Sequence, residues 1–555
     1  MAGERGRKQE VQVQSPGKGG RRLPAIVLVI AFLVPLLNVI PTIDGYLKAS
    51  SPDRVFLGFR FMAGDHFQYG SLVRQAADEG RFFMENRYTT EPQRPSYIFL
   101  YFWLVGMLCR FTGLSLPAMW EVLRVVIGGG FLIGAWFFTK LYFASERERL
   151  LAYVLIAFSG GIGWLTALLP PGALARPGLP GVTDPFNYQW NWSTFGTMAT
   201  PFWLIPSGLL LVAGILLTKD PPISRAAGWA IGLVVPLLIW FVHPHTGNAA
   251  YVTFGLYMLA PAVGALWRIE AVPWGKLRER AMSILPFILS FIVVVIYLRW
   301  AMQDDVFKEN SRHSADWSAY YSIFLYPLSY GVVLGLALFG VRWCGRFAER
   351  PRHFLLAWLA ATIPLSTNPY YAGVKYQYLV HLPLALFAAH GILELRRRSD
   401  RARTLTSGFG GVVLGGLLFL NAPLILLKDL PRTASETDIY ASQAEIDAAR
   451  FLDSQPEGSI LCMSRSGNYL AWLSRKKVYE GHWLLTIDRA NKDREVRAFF
   501  TPKVAPDLKR GFLRENNLRY VYLGTEEKKL GAVVDPSLGL ENIYDKEGVT
   551  IYRVP

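Results

Sequence analysis

The sequence predicts an α-helical polytopic membrane protein of about 11 transmembrane helices, with juxtamembrane helices and a small C-terminal α/β domain. Three observations lead to this prediction. Hydrophobic residues make up 52% of the 555 residues, and they occur in long blocks separated by short charged loops, as in integral membrane proteins. Most of the net charge of +16 comes from the N-terminal tail and these short loops. From about Thr437 the apolar blocks give way to short strand and helix patterns.

The apolar blocks define the predicted spans. These lie near residues 24–41, 123–143, 150–169, 201–218, 226–242, 247–267, 282–300, 321–342, 354–366, 378–394 and 405–427. A twelfth block, 96–112, is shorter than the roughly 20 residues of a straight span, and no Lys or Arg follows it over 113–121. We therefore expect 96–112 to lie along the outer face or dip into it.

Basic residues set the predicted orientation, because Lys and Arg are enriched in cytoplasmic loops. Residues 1–23 form a basic tail that we expect to be cytoplasmic. The first apolar block is expected to remain as a span, since no small-residue cleavage pattern follows it. The membrane body then covers 24–427, and a long first loop (42–122) and the C-terminal domain (428–555) lie outside.

Charge and cysteine content exclude other classes of protein. The positive charge follows the expected topology, which indicates a bilayer rather than nucleic acid as the partner. The three cysteines, Cys109, Cys344 and Cys462, are far apart and lack metal-ligand spacing. Neither a disulfide framework nor a zinc site is indicated.

The C-terminal region has the patterns of a soluble α/β domain. Helices are predicted over 444–454, 469–474 and 507–516, and strands over 459–463 and 519–523. Segments 542–545 and 549–553 are predicted to pair as a terminal hairpin. Because no phosphate-binding glycine fingerprint follows either strand, we interpret this domain as a lid or recognition module.

Ionisable and aromatic residues gather on the predicted outer side. The candidate site residues are Asp65, His66, Tyr69 and Arg94 in the first loop, Asp184 and Tyr188 in the second, His243 and His245 at a span end, and Tyr370, Lys375 and Tyr376 in a late loop. Ionisable residues at membrane depth are costly and mark functional positions.

Each candidate also has a structural interpretation. Asp65 could be a solvated loop acid, His243 and His245 interfacial residues at a helix end, and Lys375 a snorkelling lysine within an aromatic belt. Two histidines without a third ligand make a weak metal site. Taken together, carboxylates and a cation beside aromatics suit a phosphate-bearing lipid donor and a hydroxyl acceptor.

The order of these parts resembles the GT-C class of polytopic membrane glycosyltransferases, which includes protein-mannosyltransferase-like enzymes and uncharacterised bacterial members. Gly64-Asp65-His66-Phe67-Gln68-Tyr69 has the position of the family's acidic residue in the first outer loop. Arg94-Pro95-Ser96-Tyr97 matches its Pro-containing juxtamembrane segment. Lys375-Tyr376-Gln377-Tyr378, followed by His381-Leu382-Pro383, matches its late basic loop.

The resemblance implies transfer of a sugar from a polyprenyl-phosphate-linked donor to a glycan, lipid or protein acceptor on the outer face, with inversion. Asp65 would be the general base and Lys375 would bind the donor phosphate, with Arg94 as a second contact. Asp184, with His66 or His243, would orient the acceptor or a divalent cation. The implied location is the bacterial inner (plasma) membrane.

Two departures from the family pattern leave metal dependence open. The first loop lacks a paired acid beside Asp65, and no Pro-Pro precedes the juxtamembrane segment. If the reaction needs a cofactor, we expect Mg²⁺ or Mn²⁺ held by Asp65 and Asp184; otherwise none is expected. There are two alternatives to an enzyme. One is a transporter or flippase for lipid-linked glycans, which would carry charges inside its spans and would have internal repeats. The other is a non-catalytic scaffold.

Overall fold

The computed structural model describes residues 23–49, 51–60, 62–168, 193–267, 269–317, 323–368, 373–435, 437–502 and 504–555. The first part of the chain is helical. Its helices are α1 (Ala25–Leu37), α2 (Ile40–Lys48), α3 (Ala63–Ala77), α4 (Leu100–Thr112), α5 (Leu116–Thr139), α6 (Glu146–Phe158), α7 (Thr194–Thr197), α8 (Leu204–Leu217), α9 (Arg225–Val242), α10 (Pro244–Trp267), α11 (Trp274–Ile284), α12 (Pro286–Ala301), α13 (Asp305–Trp317), α14 (Tyr326–Val341), α15 (Glu349–Ser366), α16 (His381–Arg398), α17 (Asp400–Leu405), α18 (Gly408–Phe419) and α19 (Asn421–Ser435).

Short 3₁₀ turns connect several of these helices, and one of them, Gly373–Leu379, precedes α16. The remaining helices are α20 (Gln443–Ser454), α21 (Ser464–Leu473), α22 (Arg489–Phe500), α23 (Pro506–Glu515) and α24 (Thr525–Lys529). The strands are β1 (Val55–Phe56), β2 (Tyr440–Ala441), β3 (Ser459–Leu461), β4 (Leu518–Leu523), β5 (Glu541–Lys546) and β6 (Val549–Arg553).

Within the described residues, six helical stretches are long and apolar enough to cross a membrane, and two bent helix pairs raise the number to eight if each pair is one span. The six are Ala25–Lys48, Leu116–Thr139, Glu146–Leu165, Arg225–Val242, Pro244–Trp267 and Ile323–Val341. The count of about 11 stays a prediction. At 13 residues, α4 is about 20 Å long, shorter than the hydrocarbon core.

Three predicted spans correspond to helices outside these six stretches and the two bent pairs, namely α8, α15 and α16. The reason is clearest for α16, most of whose residues are buried, including His381, His390 and Glu394. A helix surrounded by other helices does not face lipid and does not need an apolar surface on every side. It lies against α14, where Gly391 lets the backbones approach closely.

The C-terminal part folds around one four-stranded sheet in the order β3-β4-β6-β5, with β3 parallel to β4 and the other pairs antiparallel. The helix predicted over 444–454 begins at Gln443 and ends at Ser454. The helix predicted over 469–474 begins five residues earlier in the structure, at Ser464. The predicted hairpin is β5 and β6.

The first loop and the C-terminal part share one hydrophobic core. Strand β1 pairs antiparallel with β2, so that Val55 lies opposite Ala441. Helix α3 packs between α4 and α21: a Cβ on Gly70 would lie 2.7 Å from the ring of Trp472, and one on Gly106 would lie 2.6 Å from Ala76 Cβ. These close approaches fix α3 between the helical body and the sheet.

Candidate active site

A cavity of about 630 Å³ lies where α3, the α9–α10 junction, α13, the Gly373–Leu379 turn and residues 483–485 meet. It therefore joins the helical body to the C-terminal part. Its polar lining residues include Asp65, Gln68, His243, His245, Asn248, Lys308, Asn310, Ser311, Arg312, Ser314 and Lys375. The rest of the wall is mainly aromatic and aliphatic.

Asp65 occupies the third residue of α3, after the left-handed Met62 (φ 50°) and Ala63. A carboxylate in the first turn of a helix is stabilised by the helix dipole. Its side chain is about one-fifth exposed, and its Oδ1 lies 2.9 Å from Nε2 of His482. Within the described residues, Oδ2 has no hydrogen-bond partner and remains available at the cavity wall.

His482 comes from a buried turn of the C-terminal part and has no solvent exposure. The backbone N–H of Leu484 donates to its Nδ1 at 3.2 Å, so this nitrogen carries a lone pair in the neutral ring. The proton is therefore on Nε2 and is donated to Asp65. Asn86 of the first loop holds the same turn by donating from Nδ2 to the Leu485 carbonyl at 2.8 Å.

The surroundings of Asp65 favour its ionised form. Burial opposes ionisation, but the hydrogen bond from His482 and the positive charge of Lys375 outweigh it and hold the pKa of Asp65 below its ordinary value. A largely buried carboxylate is thus kept charged at neutral pH by one donor and one nearby cation. This is the state that a general base requires.

Lys375 lies on the Gly373–Leu379 turn, and its ammonium group faces the cavity. Nζ lies 3.1 Å from Nε2 of His245 and donates to Oγ of Ser314 at 2.9 Å. Burial lowers the pKa of Lys375 to about 8, and Asp65 acts in the opposite direction. A desolvated, charged lysine can bind an anionic ligand strongly.

The rest of the wall is built from stacked rings. The Tyr69 ring stacks on Phe102 with centroids 4.6 Å apart, and the Tyr378 ring stacks on Trp203 at 5.8 Å. The hydroxyl of Tyr378 lies 3.0 Å from Nδ1 of His243. Flat aromatic surfaces of this kind are typical of ligand pockets, in which polar groups fix the orientation of the ligand.

The structure brings five of the predicted site residues to the cavity: Asp65, Tyr69, His243, His245 and Lys375. Three other predicted residues, His66, Arg94 and Tyr376, lie away from the cavity wall. The last three, Asp184, Tyr188 and Tyr370, fall outside the described residues.

His66 is buried, with Nδ1 3.1 Å from the Met62 carbonyl oxygen and its ring packed against Phe59. Arg94 is exposed, and its guanidinium lies 5.9 Å from the ring centroid of Trp300. Tyr376 is fully buried. None of the three lines the cavity.

The sequence did not predict His482, Ser314 or Asn248 as site residues. His482 is 417 residues from Asp65, so no local spacing relates the two. Ser314 belongs to the polar helix α13, which lies between the predicted spans 282–300 and 321–342, where no helix is predicted. Asn248 lies one turn after His243-Pro244-His245, and helical spacing from that motif was the one signal that could have identified it.

The described residues do not fit a divalent cation at Asp65. No group of three or more His, Cys, Asp or Glu side chains among them is arranged to hold a metal ion. Oδ1 of Asp65 already accepts a hydrogen bond, and Lys375 places a positive charge nearby. Mg²⁺ and Mn²⁺ prefer several oxygen ligands and carboxylates. The second candidate ligand, Asp184, is outside the described part.

No family model matches the chain, and no curated protein sequence matches it. Solved structures match its fold. The oligosaccharyltransferase AglB from Archaeoglobus fulgidus, in complex with an inhibitory peptide and a dolichol-phosphate, superposes with a TM-score of 0.52 at 12% identity, over 90% of this chain and 69% of that chain. The arabinofuranosyltransferase AftD from Mycobacteria superposes with a TM-score of 0.55 at 14% identity, over 94% of this chain and 40% of that chain.

Both matched proteins are GT-C polytopic membrane glycosyltransferases. The chain has the GT-C fold. The predicted resemblance to the GT-C class is confirmed at the level of the fold. The GT-C fold together with the apolar helices identifies an integral membrane protein.

Proposed function

We propose that the protein is a membrane glycosyltransferase that transfers a sugar from a polyprenyl-phosphate-linked donor to an acceptor hydroxyl, with inversion at the anomeric carbon. The observation that carries the proposal is the cavity, where the unpartnered oxygen of Asp65 and the ammonium group of Lys375 line one largely aromatic wall. The GT-C fold supports this function.

The proposed step uses these two charges in opposite roles. The acceptor oxygen attacks the anomeric carbon while the bond from that carbon to the phosphate oxygen breaks. The acceptor proton moves to Oδ2 of Asp65, and the electron pair of the broken bond remains on the polyprenyl phosphate. Lys375 stabilises the charge on this leaving group. No divalent cation enters the proposed step.

Ser314 and His245 would keep Lys375 in place for the phosphate. Tyr69, Tyr378 and Trp203 would offer surfaces to the sugar and the isoprenoid. With the predicted topology, the cavity opens on the outer face of the bacterial inner membrane, and the acceptor is a glycan, lipid or protein there. Residues 428–555 would form an outer domain that completes the site.

The test is a transfer assay on the full chain in lipid nanodiscs, with a panel of polyprenyl-phosphate sugars and with polyprenyl phosphate release as the readout. Asp65→Asn is expected to lower release by about 10²–10⁴-fold and to leave donor binding intact. Asp78→Asn is the matched control, because Asp78 is exposed just after the end of the same helix and pairs with Arg74.

Wild-type release that survives in Asp65→Asn would overturn the role of Asp65. Saturable donor binding without release, across a panel of glycan, lipid and peptide acceptors, would instead favour a transporter of lipid-linked glycans. Neither binding nor release would favour a scaffold.

A further inference from the structure

The hydrogen bond between Asp65 and His482 joins the first loop to the C-terminal part directly at the cavity. We propose that His482 is a positioning residue: it holds Oδ1 of Asp65 and thereby directs Oδ2 at the acceptor hydroxyl. This inference rests on the proposed function, because Asp65 must be the base for its orientation to matter.

The donor geometry is fixed on both sides of the imidazole ring. Nδ1 accepts from the backbone of Leu484 at 3.2 Å, and Nε2 donates to Asp65 at 2.9 Å. The neutral ring can satisfy both contacts in only one tautomer. His482 therefore acts as a rigid donor rather than as a second proton acceptor facing the cavity.

The turn that carries His482 is held firmly. The backbone N–H of Thr486 donates to the His482 carbonyl at 3.0 Å, and the backbone N–H of Gly481 donates to Oγ1 of Thr486 at 3.1 Å. The hydroxyl of Ser464 at the start of α21 donates to the Gly481 carbonyl at 2.7 Å. The position of the His482 imidazole is therefore fixed by the sheet and α21 rather than by the local loop.

Helix α3 is held against the same unit. Gly70 lies against Trp472 of α21, and the guanidinium of Arg74 donates to the Leu473 carbonyl at 2.6 Å. Because α3 and the His482 turn are both fixed to α21, α21 sets the distance between Asp65 and His482. An active site built in this way is complete only when the C-terminal part is docked on the first loop.

The titratable groups that face Asp65 define how the hydrogen bond can be tested. His66 and Tyr69 face it from α3, Lys375 from the Gly373–Leu379 turn, Tyr88 from the first loop, and His482 from the C-terminal part. Removing the His482 donor leaves the other groups and the burial unchanged. Burial then raises the pKa of Asp65, so protonation inactivates the base at a higher pH.

The experiment compares His482→Leu, which keeps the approximate volume, with His482→Gln, which keeps an N–H donor near the position of Nε2. In the full chain in nanodiscs, His482→Leu is expected to lower kcat by roughly 100-fold, because misplacing a reacting group costs about that factor. The donor KM should stay nearly constant. The acid limb of the pH–rate profile should move to higher pH by about one unit.

His482→Gln is expected to restore most of the shift and part of kcat. A purely structural role would lower the active fraction of both variants and leave the acid limb where it is in wild type. An unmoved acid limb in His482→Leu, or equal behaviour of the two variants, would overturn the proposal.

A second measurement separates this inference from the proposed function. Infrared difference spectra, in which the spectrum of Asp65→Asn is subtracted from that of wild type, follow the protonated carboxyl of Asp65 as the pH is changed. This measurement needs no turnover. Titration of that band at higher pH in His482→Leu than in wild type supports the hydrogen bond. An unchanged titration overturns it, whereas absence of transfer in wild type would overturn the proposed function alone.

Discussion

Nζ of Lys375 lies 3.1 Å from Nε2 of His245 and 2.9 Å from Oγ of Ser314, at the wall of the cavity that also contains Asp65. An ammonium group has only donors, so His245 must offer a lone pair at Nε2. These two contacts use two of the three N–H groups. Within the described residues, the third is left for a ligand.

We predict that Lys375→Ala weakens binding of a polyprenyl-phosphate donor by about 10–100-fold, since a hydrogen bond to a charged group contributes roughly 1.5–3 kcal/mol. Lys375→Arg should keep part of the affinity, because the charge remains but the fork geometry differs. Donor binding to nanodisc-embedded protein measures the effect. Equal affinity in wild type and Lys375→Ala would contradict the role of Lys375 as phosphate ligand.

We predict that donor affinity falls as pH rises through about 8, because burial lowers the pKa of Lys375 to about that value. The protonated amine binds the phosphate below this pH and loses its charge above it. Donor titrations from pH 6 to 10 measure the dependence. Lys375→Arg is the control, since a guanidinium stays protonated throughout; a decrease of similar size in that variant would assign it to another group.

We predict that Glu480→Gln stabilises the protein at alkaline pH. Glu480 is fully buried, and within the described residues neither carboxylate oxygen has a hydrogen-bond partner. Burial raises the pKa of Glu480 to about 7, and the negative charge of Asp493 acts in the same direction. The folded state thus binds the proton more tightly than the unfolded state, and this stabilisation is full below about pH 4.5 and is lost as pH rises through about 7.

At pH 8 the variant is expected to gain about 1–3 kcal/mol over wild type, and at pH 5 the difference should be smaller. Thermal unfolding at the two pH values measures it. Asp507→Asn, at an exposed carboxylate on α23, should change neither curve. A pH-independent difference between Glu480→Gln and wild type would show that the carboxyl does not titrate in this range.

Local patterns in the sequence are sufficient to predict many of the helices and strands and part of the candidate site. The helix predicted over 444–454 matches α20, because helical periodicity extends over neighbouring residues. The same holds for the β5–β6 hairpin, whose turn residues lie between the strands. The first-loop acid and Lys375 were identified because ionisable residues stand out beside apolar blocks.

The relation between distant segments could not be predicted in the same way. The pairing of β1 with β2 and the contact of His482 with Asp65 join residues nearly 400 or more positions apart. Neither contact can be recognised from the spacing of residues along the sequence. Helix α13 was missed because it is polar and amphipathic inside a segment interpreted as a loop. Its Ser314 was missed with it.

The crossing of α14 and α16 gives a last prediction, about the fold. A Cβ on Gly391 would lie 2.2 Å from the Leu336 carbonyl oxygen, and one on Gly340 would lie 2.0 Å from the Phe387 carbonyl oxygen. Small residues let two helix backbones approach in membranes, and backbone atoms cannot move aside as a flexible side chain can. We therefore expect Gly391→Ala to destabilise the protein by about 1–3 kcal/mol.

Gly335→Ala on α14 is the matched control, because a Cβ there has no atom within 4 Å. It should leave the unfolding temperature unchanged or raise it slightly, since alanine has the higher helix propensity. Thermal unfolding of both variants in the same nanodiscs makes the comparison. Equal unfolding temperatures would mean that α14 and α16 separate enough to accept a methyl group, and that the close crossing does not limit the stability of the helical body.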